Sequence, residues 1–321
     1  YLGGKNASNS ILKINKSSSE TNFQLGSCIV FEKGRFKNIV GFAFNPRSAK
    51  INNNVTTSFI ENGIFNSNSK IEFYNSSWDA NIIMSNQFDF NKLTIAFNSK
   101  KSNLSHPFSP TPKYYNKNYN LPKSFMNNSI SYNYFNPVFY ARGEIAISNV
   151  KGWATTHFIS TALTENLALN LNYRIFSEDY RSFYTNTYKR NSSVQNETGF
   201  YTEMNYNTYS LSIISRFNYY ENKNPRYLLH LPSIGRSYDQ LIRMRLSDSL
   251  FVELKYQYKI SPKEKGEQKL DYFENKYEHK LYARVNLKLS ERWIFTSRIG
   301  YNNVIIKASN KGFVFAQDLT Y

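Results

Sequence analysis

Basic side chains recur at alternate positions in several segments whose intervening positions are apolar. Side chains two residues apart lie on the same face of a β-strand, so this pattern places the cations on one face and the apolar residues on the other. Acidic residues on the cationic face are too few to balance it, and the sequence predicts a net basic face. Its cations are Arg142, Arg174, Arg216, Arg243, Arg245, Lys255, Lys259, Lys280, Arg284, Lys288 and Arg298, and its acids are Glu144, Glu203, Glu253 and Glu278.

The stretch 151–176 shows the structural unit that would carry such a face. Apolar and small polar residues alternate from Trp153 to Leu163 and again from Leu167 to Ile175, on either side of a short polar turn. This predicts two antiparallel strands joined as a hairpin. Each strand is long enough, at roughly ten residues, to cross the hydrocarbon layer of a bilayer when tilted. A strand with an apolar face and a mixed polar face is typical of one that has lipid on one side and water on the other.

The connections between predicted strands alternate between short turns and long loops, among them 100–125, 177–197 and 261–275. Outer-membrane barrels combine short periplasmic turns with long extracellular loops, whereas soluble sandwiches mix connection lengths. We therefore predict an all-β fold: a transmembrane antiparallel up-and-down β-barrel of about 14–16 strands, with residues 1–321 as a single domain. Closure of the barrel would also leave no exposed sheet edge.

In a barrel the predicted basic face would line the lumen, because a cation facing hydrocarbon costs roughly 2–4 kcal/mol near the midplane. We favour a ladder of cross-strand ion pairs and hydrogen bonds that fills a narrow or plugged interior. The alternative is a path selective for anions. Phosphate contacts and stacking on Tyr would also suit single-stranded nucleic acid. Tyr is common throughout this chain, so support for a nucleic-acid partner is weak.

The composition agrees with a β-rich membrane protein. The chain has 26 Tyr and 25 Phe against 4 Met, and aromatic girdles are a feature of membrane barrels. No run of eighteen apolar residues occurs, which excludes a helical span of that kind. The formal charge of +17 implies attraction to nucleic acid, lipopolysaccharide phosphates or acidic polymers. An alternative explanation of the excess positive charge is the codon bias of the source organism, which would enrich Asn and Lys throughout the chain.

Signatures of catalysis and cofactor binding are thin. His106, His157, His230 and His279 are far apart in the sequence, and no nucleotide-binding, metal-binding or triad motif accompanies them. We expect no enzyme activity, catalytic residue, metal or cofactor. The lone Cys28 permits no intrachain disulfide, and we expect it to act as a small apolar residue.

Three segments carry a resemblance to a known family. They resemble parts of large outer-membrane proteins of Bacteroidota that are described as helix-hairpin-helix proteins, in which helical DNA-binding-like repeats precede a barrel. The resemblance spans roughly Leu93 to Tyr321. The segments are Gly143–Asn149 with Gly152–Thr155; Tyr173–Ser177 with Tyr180, Ser182–Tyr184, Asn186 and Asn196–Tyr201; and Pro225–Tyr227 with Pro232, Ser233, Gly235 and Tyr238.

The chain departs from that family in two respects. The helix-hairpin-helix part is not present, so no DNA-binding residue can be carried over. The family's barrel continues beyond the part similar to Gly312–Asp318, which suggests that terminal parts are missing here, whereas Tyr321 after alternating Phe315, Gln317 and Leu319 resembles the last-strand signal of barrels. Tyr1–Gly4 does not begin a signal peptide, so we expect any such peptide to have been removed or to lie outside this chain.

Three functional hypotheses follow. The leading one is a non-enzymatic barrel of the cell outer membrane that acts in transport, or as a component of a larger envelope complex for DNA uptake or protein secretion. Its partners would be outer-membrane lipid, lipopolysaccharide and other envelope proteins. The first alternative is a soluble or surface β-rich protein that binds glycans or another partner. The second is a barrel hydrolase, for which His157 and His279 are the strand histidines to test.

Overall fold

The structure is a computed structural model that describes residues 25–59, 73, 75–116, 119–182, 187–190, 194–226, 229–264 and 273–321. All the regular elements in these ranges are β-strands, which confirms the all-β prediction. None of the described residues belongs to a helix long and apolar enough to cross a membrane. The predictions for Tyr1–Gly4 and for the loop residues 183–184, Asn186, Tyr227 and 265–272 lie outside the described residues. Alternation from Phe23 to Phe31 also predicts a first strand, and its start at Phe23 lies outside them as well.

The strands form a 15-stranded antiparallel sheet with up-and-down connections and a separate hairpin of β3 and β4. The number in the large sheet falls within the predicted range. The strands are β1 (Leu25–Lys33), β2 (Phe36–Arg47), β3 (Ala49–Asn52), β4 (Val55–Phe59), β5 (Ser77–Phe90), β6 (Leu93–Leu104), β7 (Ser124–Phe135), β8 (Phe139–Ser148), β9 (Trp153–Thr164), β10 (Leu167–Phe176), β11 (Glu197–Asn207), β12 (Leu211–Asn222), β13 (Ser233–Arg245), β14 (Leu250–Glu264), β15 (Phe273–Lys288), β16 (Ile294–Ile305) and β17 (Ser309–Thr320).

Tight turns at one end of the strands follow from residues that tolerate a positive φ. Gly34 begins the two-residue turn between β1 and β2 with φ 58°, and Asn91 does the same between β5 and β6 with φ 59°. Turns of this kind match the twist of antiparallel strands and favour Gly and Asn. The predicted hairpin at 151–176 is present as β9 and β10.

The prediction of strictly alternating connections is wrong at two places. The connections 149–152 and 306–308 are short although they lie at the end of the strands where long ones are expected. In the first, Lys151 and Gly152 both have positive φ, and Ser148 N donates to Gly152 O at 3.1 Å, which closes a tight turn. Strands β3, β4 and β7 are not predicted from the sequence. β3 and β4 are only four and five residues long, and Asn128 interrupts the apolar stripe of β7 between Met126 and Ile130.

The chain divides into two compact units, and in the first the buried apolar side chains lie near the long connections. This unit comprises 1–133, 144–155 and 176–195. One cluster joins Leu104, Phe108, Leu121 and Phe125. The other joins Ala146, Ala154, Phe176, Tyr180 and Val194. The large apolar residues of its strands are instead exposed, such as Val40 at 44% and Phe42 at 50%.

The second unit comprises 134–143, 156–175 and 196–321. Here too the apolar side chains of the strands are exposed, because no other described part of the chain packs against them. Leu281 is 50% exposed, Ile299 52% and Phe315 63%. In an ordinary soluble protein such side chains form the core. In this protein they form one continuous face of each unit, called the apolar face below, and the opposite side of the strands is called the polar face.

Candidate functional site

The polar face of β13–β16 carries a row of guanidinium groups. The register places Glu253 between Arg243 and Arg284. Arg284 in turn lies opposite Arg298. Direct cross-strand partners point to the same side of an antiparallel sheet, so all four side chains share the polar face. Three cations against one acid give this row, called the arginine row below, a net positive charge.

The ion pairs of the arginine row neutralise only part of its charge. Arg243 Nε lies 2.8 Å from Glu253 Oε2, and Arg298 Nη1 lies 2.6 Å from Asp318 Oδ2. Arg284 donates from Nε to the uncharged amide oxygen of Asn286 at 3.0 Å. Glu253 thus pairs with Arg243, whereas Arg284, its direct partner on the other neighbouring strand, bonds to an uncharged group. Partly exposed pairs of this kind contribute little stability, so the row remains available to an external anion.

A second basic group surrounds Glu278 on the same face. Lys276 Nζ lies 2.5 Å from one carboxylate oxygen of Glu278, and Lys280 Nζ lies 3.5 Å from the other. Lys259 lies directly opposite Glu278 on the neighbouring strand. Three ammonium groups therefore surround one carboxylate, which leaves a net positive charge near the end of the strands that carries the long connections.

Other predicted cations also lie on the polar face, with partners of their own. Arg216 Nε lies 2.5 Å from Glu203 Oε2. Arg245 donates from Nη1 to Tyr209 Oη at 3.4 Å, and its guanidinium lies 5.6 Å from the centre of that ring. These contacts hold Arg216 against β11 and Arg245 against the turn between β11 and β12.

Arg142, Lys255 and Lys288 complete the set of predicted cations. Arg142 lies 5.3 Å from the centre of the Phe158 ring, a cation–π distance. Lys255 lies opposite Tyr282 on the neighbouring strand. Lys288 continues the same face of β15 four residues beyond Arg284. Together with the arginine row and the lysines near Glu278, these residues carry positive charge along the length of the strands.

Arg174 differs from the other predicted cations because it is fully buried. Its Nε donates to Glu197 Oε1 at 2.6 Å, and neither side chain is exposed to solvent. A Cβ on Gly199 would lie 2.3 Å from Cζ of Arg174, so the glycine makes room for the guanidinium. Arg174 therefore joins β10 to β11 and presents no charge to the surface.

A buried carboxylate that the sequence did not predict lies on the polar face of the first unit. Asp79 accepts hydrogen bonds from Nδ2 of Asn45 at 2.5 Å and of Asn81 at 2.6 Å, and it also pairs with Arg47. Only 1% of Asp79 is exposed. The alternation of Asn45 with Arg47 and of Asp79 with Asn81 was a usable signal, but only the cross-strand register shows that these pairs meet.

Aromatic pairs bound the apolar face at both ends of the strands in each unit. In the second unit the rings of Tyr301 and Phe313 are 4.8 Å apart at one end, and those of Trp293 and Tyr321 are 4.9 Å apart at the other. Trp293 and Tyr301 are eight residues apart, as are Phe313 and Tyr321. At about 3.4 Å per residue, the two pairs are about 27 Å apart along the strands.

The first unit repeats this arrangement. The rings of Phe44 and Trp78 stack at 5.7 Å, and those of Phe36 and Phe88 lie 5.1 Å apart at the other end of the same strands. Phe36 and Phe44 are again eight residues apart. The exposed Val40 and Phe42 lie between them.

His279, one of the two strand histidines considered for a hydrolase, and the loop residue His106 have surroundings of different kinds. His279 lies on the apolar face, where its Nδ1 is 3.1 Å from Tyr256 Oη and its ring is 4.7 Å from that of Tyr258. His106 Nδ1 is 3.0 Å from the hydroxyl of the adjacent Ser105. That hydroxyl is also 2.8 Å from Ser77 Oγ, which ties the connection to β5.

The connection after β10 is held by a buried tyrosine and arginine. Tyr180 is 5% exposed, and burial, together with the charge of Glu144, raises the pKa of its phenol to about 12. Arg181 donates from Nη1 to Glu178 O at 2.6 Å, and its guanidinium lies 4.5 Å from the Tyr119 ring centre. Burial lowers the pKa of Arg181.

Comparison with known proteins gives little beyond these observations. No family model matches the chain, and no curated protein matches it. Among solved structures, a bacterial polysaccharide outer membrane secretin superposes with a TM-score of 0.39 at 9% sequence identity, covering 95% of this chain and 92% of that chain. A likeness this distant carries no information on activity.

Proposed function

We propose that the protein is a non-enzymatic β-barrel of the outer membrane, with the apolar face in lipid and the basic polar face in a water-containing interior. The observation that supports this most directly is the uncovered apolar face, bounded at both ends by aromatic pairs. Aromatic residues collect at membrane–water interfaces because their rings combine an apolar body with a polar edge.

The spacing of the aromatic pairs suits a membrane. About 27 Å of strand, tilted by about 40°, spans about 21 Å along the membrane normal. The apolar band of outer-membrane barrels is about 25 Å tall. A soluble protein rarely exposes an apolar patch of more than a few hundred Å², and both units here expose Ile, Val, Leu and Phe along whole strands. This argues against the soluble alternative.

The charge of the polar face favours anions in the proposed interior. The arginine row and the lysines around Glu278 exceed the acids beside them. A water-filled space lined by cations raises the local concentration of anions and disfavours cations. The function is then transport of an anionic species, or service as a basic scaffold in an envelope complex. The resemblance to helix-hairpin-helix proteins makes DNA one candidate cargo. Secreted protein is another, as the cargo of a larger envelope complex.

Planar bilayers test the proposal. The purified protein should insert, migrate differently on gels before and after heating, and conduct with a reversal potential that indicates preference for chloride over potassium. Reversing two charges of the arginine row, with Arg284→Glu and Arg298→Glu, should shift the reversal potential toward cation preference. Lys50→Glu, an exposed cation of β3 outside the large sheet, makes a control with the same kind of charge change.

The outcomes separate the parts of the proposal. Protein that fails to enter bilayers contradicts the membrane location. An inserted barrel that never conducts removes the channel and leaves the scaffold. Conductance with the same selectivity in the wild type and the Arg284/Arg298 variant would show that the arginine row does not face the ion path.

A further inference from the structure

A groove lined by both apolar and polar side chains lies on the apolar face of the second unit, at the end with the long connections. It has a volume of about 440 Å³, within the range of small-ligand sites. Its lining includes Glu221, Ile234, Arg236, Ile260, Asn275 and Tyr277. The register places these six side chains on the same side as Phe217 and Tyr238, and therefore on the apolar face.

The groove begins one step beyond a row of aromatic side chains. Phe217, Tyr238, Tyr258 and His279 are direct cross-strand partners in that order. Arg236 lies two residues past Tyr238, about 7 Å further along the strand. In the proposed membrane orientation, the aromatic row marks the edge of the hydrocarbon layer. The groove then lies at the depth of lipid headgroups, where a charged side chain on this face is no longer costly.

The lining combines groups that suit a phosphorylated sugar. Arg236 offers a planar guanidinium, which binds phosphate with two parallel hydrogen bonds. Glu221 and Asn275 offer oxygens that accept from hydroxyl or amino groups, and the ring of Tyr277 offers a flat apolar surface. Glu221 also disfavours a bare anion that has no donor groups. The set therefore selects a sugar that carries a phosphate over inorganic phosphate alone.

We infer that this groove binds the phosphorylated sugar headgroup of an outer-leaflet glycolipid, whose acyl chains lie along the apolar face below it. The inference rests on the proposed membrane location. The groove lies directly beside the uncovered apolar stripe, on which Tyr238 and, further below, Leu254 are each 37% exposed. This position argues for a lipid as the source of the headgroup.

Binding of lipid A to the detergent-purified protein, followed by native mass spectrometry, tests the inference. The wild type should bind lipid A more tightly than lipid A stripped of its phosphates. Arg236→Ala should weaken binding of phosphorylated lipid A by about tenfold or more, because a charge-assisted pair is lost. Lys311→Ala is the matched control. Lys311 lies on the same face and is the cross-strand partner of Asn303, which is the partner of His279 in the aromatic row, but it lies outside the groove.

Each outcome bears on a different claim. Equal binding by the wild type and Arg236→Ala, or equal loss in Lys311→Ala, overturns the headgroup site while leaving the membrane location intact. Soluble glucosamine phosphate that binds as tightly as lipid A overturns the lipid source. Failure of the wild type to insert into bilayers contradicts the proposed function, and the headgroup site with it.

Discussion

Tyr220 lies across Gly235, its direct partner on the neighbouring strand, so closely that a Cβ on Gly235 would be 2.1 Å from Tyr220 Cζ. The Tyr220 ring covers the backbone at Gly235, which has no side chain of its own. Such a contact between an aromatic ring and a cross-strand glycine fixes the register of the two strands. Register matters here because a slip of one residue moves every side chain to the other face. The contact therefore helps to keep the arginine row on the polar side of β13.

Gly235→Ala should destabilise the protein by about 1–3 kcal/mol, because the buried Tyr220 ring must move to admit the new methyl group. Urea unfolding in lipid bilayers measures this change. Gly300→Ala is the control, since the nearest atom to its Cβ is Val314 Cβ at 3.8 Å and it should be tolerated. The double variant Gly235→Ala with Tyr220→Ala should lose less than the sum of the two single changes. Strict additivity would contradict the contact.

Glu197→Gln should destabilise the protein by about 3–5 kcal/mol, because it leaves the charge of Arg174 buried without its partner. Unfolding midpoints in urea give the measurement. Glu203→Gln breaks the partly exposed pair with Arg216 and serves as the control, with a smaller expected loss. Equal effects of the two changes would mean that burial does not govern the cost.

The phenol of Tyr180 should make the stability of the folded protein depend on pH in the alkaline range. Its pKa is raised from about 10 in the unfolded chain to about 12, so the folded state favours the neutral form. This contribution is fully present below about pH 10 and is lost as the pH rises through about 12. The unfolding midpoint of the wild type should therefore fall more steeply over that interval than that of Tyr180→Phe, which cannot ionise. Parallel pH profiles would contradict the assignment.

Cys28 reports on which face of β1 meets water. It lies opposite Gly41, on the polar face, and it is exposed. In proteoliposomes a charged maleimide should label Cys28. The matched variant carries Cys28→Ser with Ile29→Cys, which moves the thiol by one residue to the apolar face, and it should resist the reagent. Labelling of both thiols at similar rates would contradict the division of faces.

Alternation of side chains was sufficient to predict much of the fold. The period of two from Trp153 to Leu163 is present as β9, and the face shared by Arg243 and Arg245 follows from the same rule. β7 was missed because Asn128 interrupts its apolar stripe between Met126 and Ile130, and Asn and Ser fill most of its other face. Tight connections at 149–152 and 306–308 were missed because loop length depends on local backbone geometry.

The candidate sites could be predicted only in part, because they depend on cross-strand register. The sequence places Arg284 and Arg298 on the polar face, but only the pairing of β15 with β16 sets them side by side. The burial of Arg174 depends on Gly199 of the next strand. The sequence does not predict the face of Arg236, because Gly235 and Ser237 beside it give no apolar alternation before Tyr238.

Spin-label accessibility along β16 tests the division of faces most directly. Single cysteines from Phe295 to Tyr301, in a Cys28→Ser background in lipid bilayers, report contact with oxygen, which concentrates in lipid, and with a water-soluble nickel complex. Oxygen contact should peak at Phe295, Ser297, Ile299 and Tyr301, and nickel contact should peak at Thr296, Arg298 and Gly300. Profiles that rise and fall together, or nickel contact at Ile299, would contradict a membrane sheet with lipid on one face and water on the other.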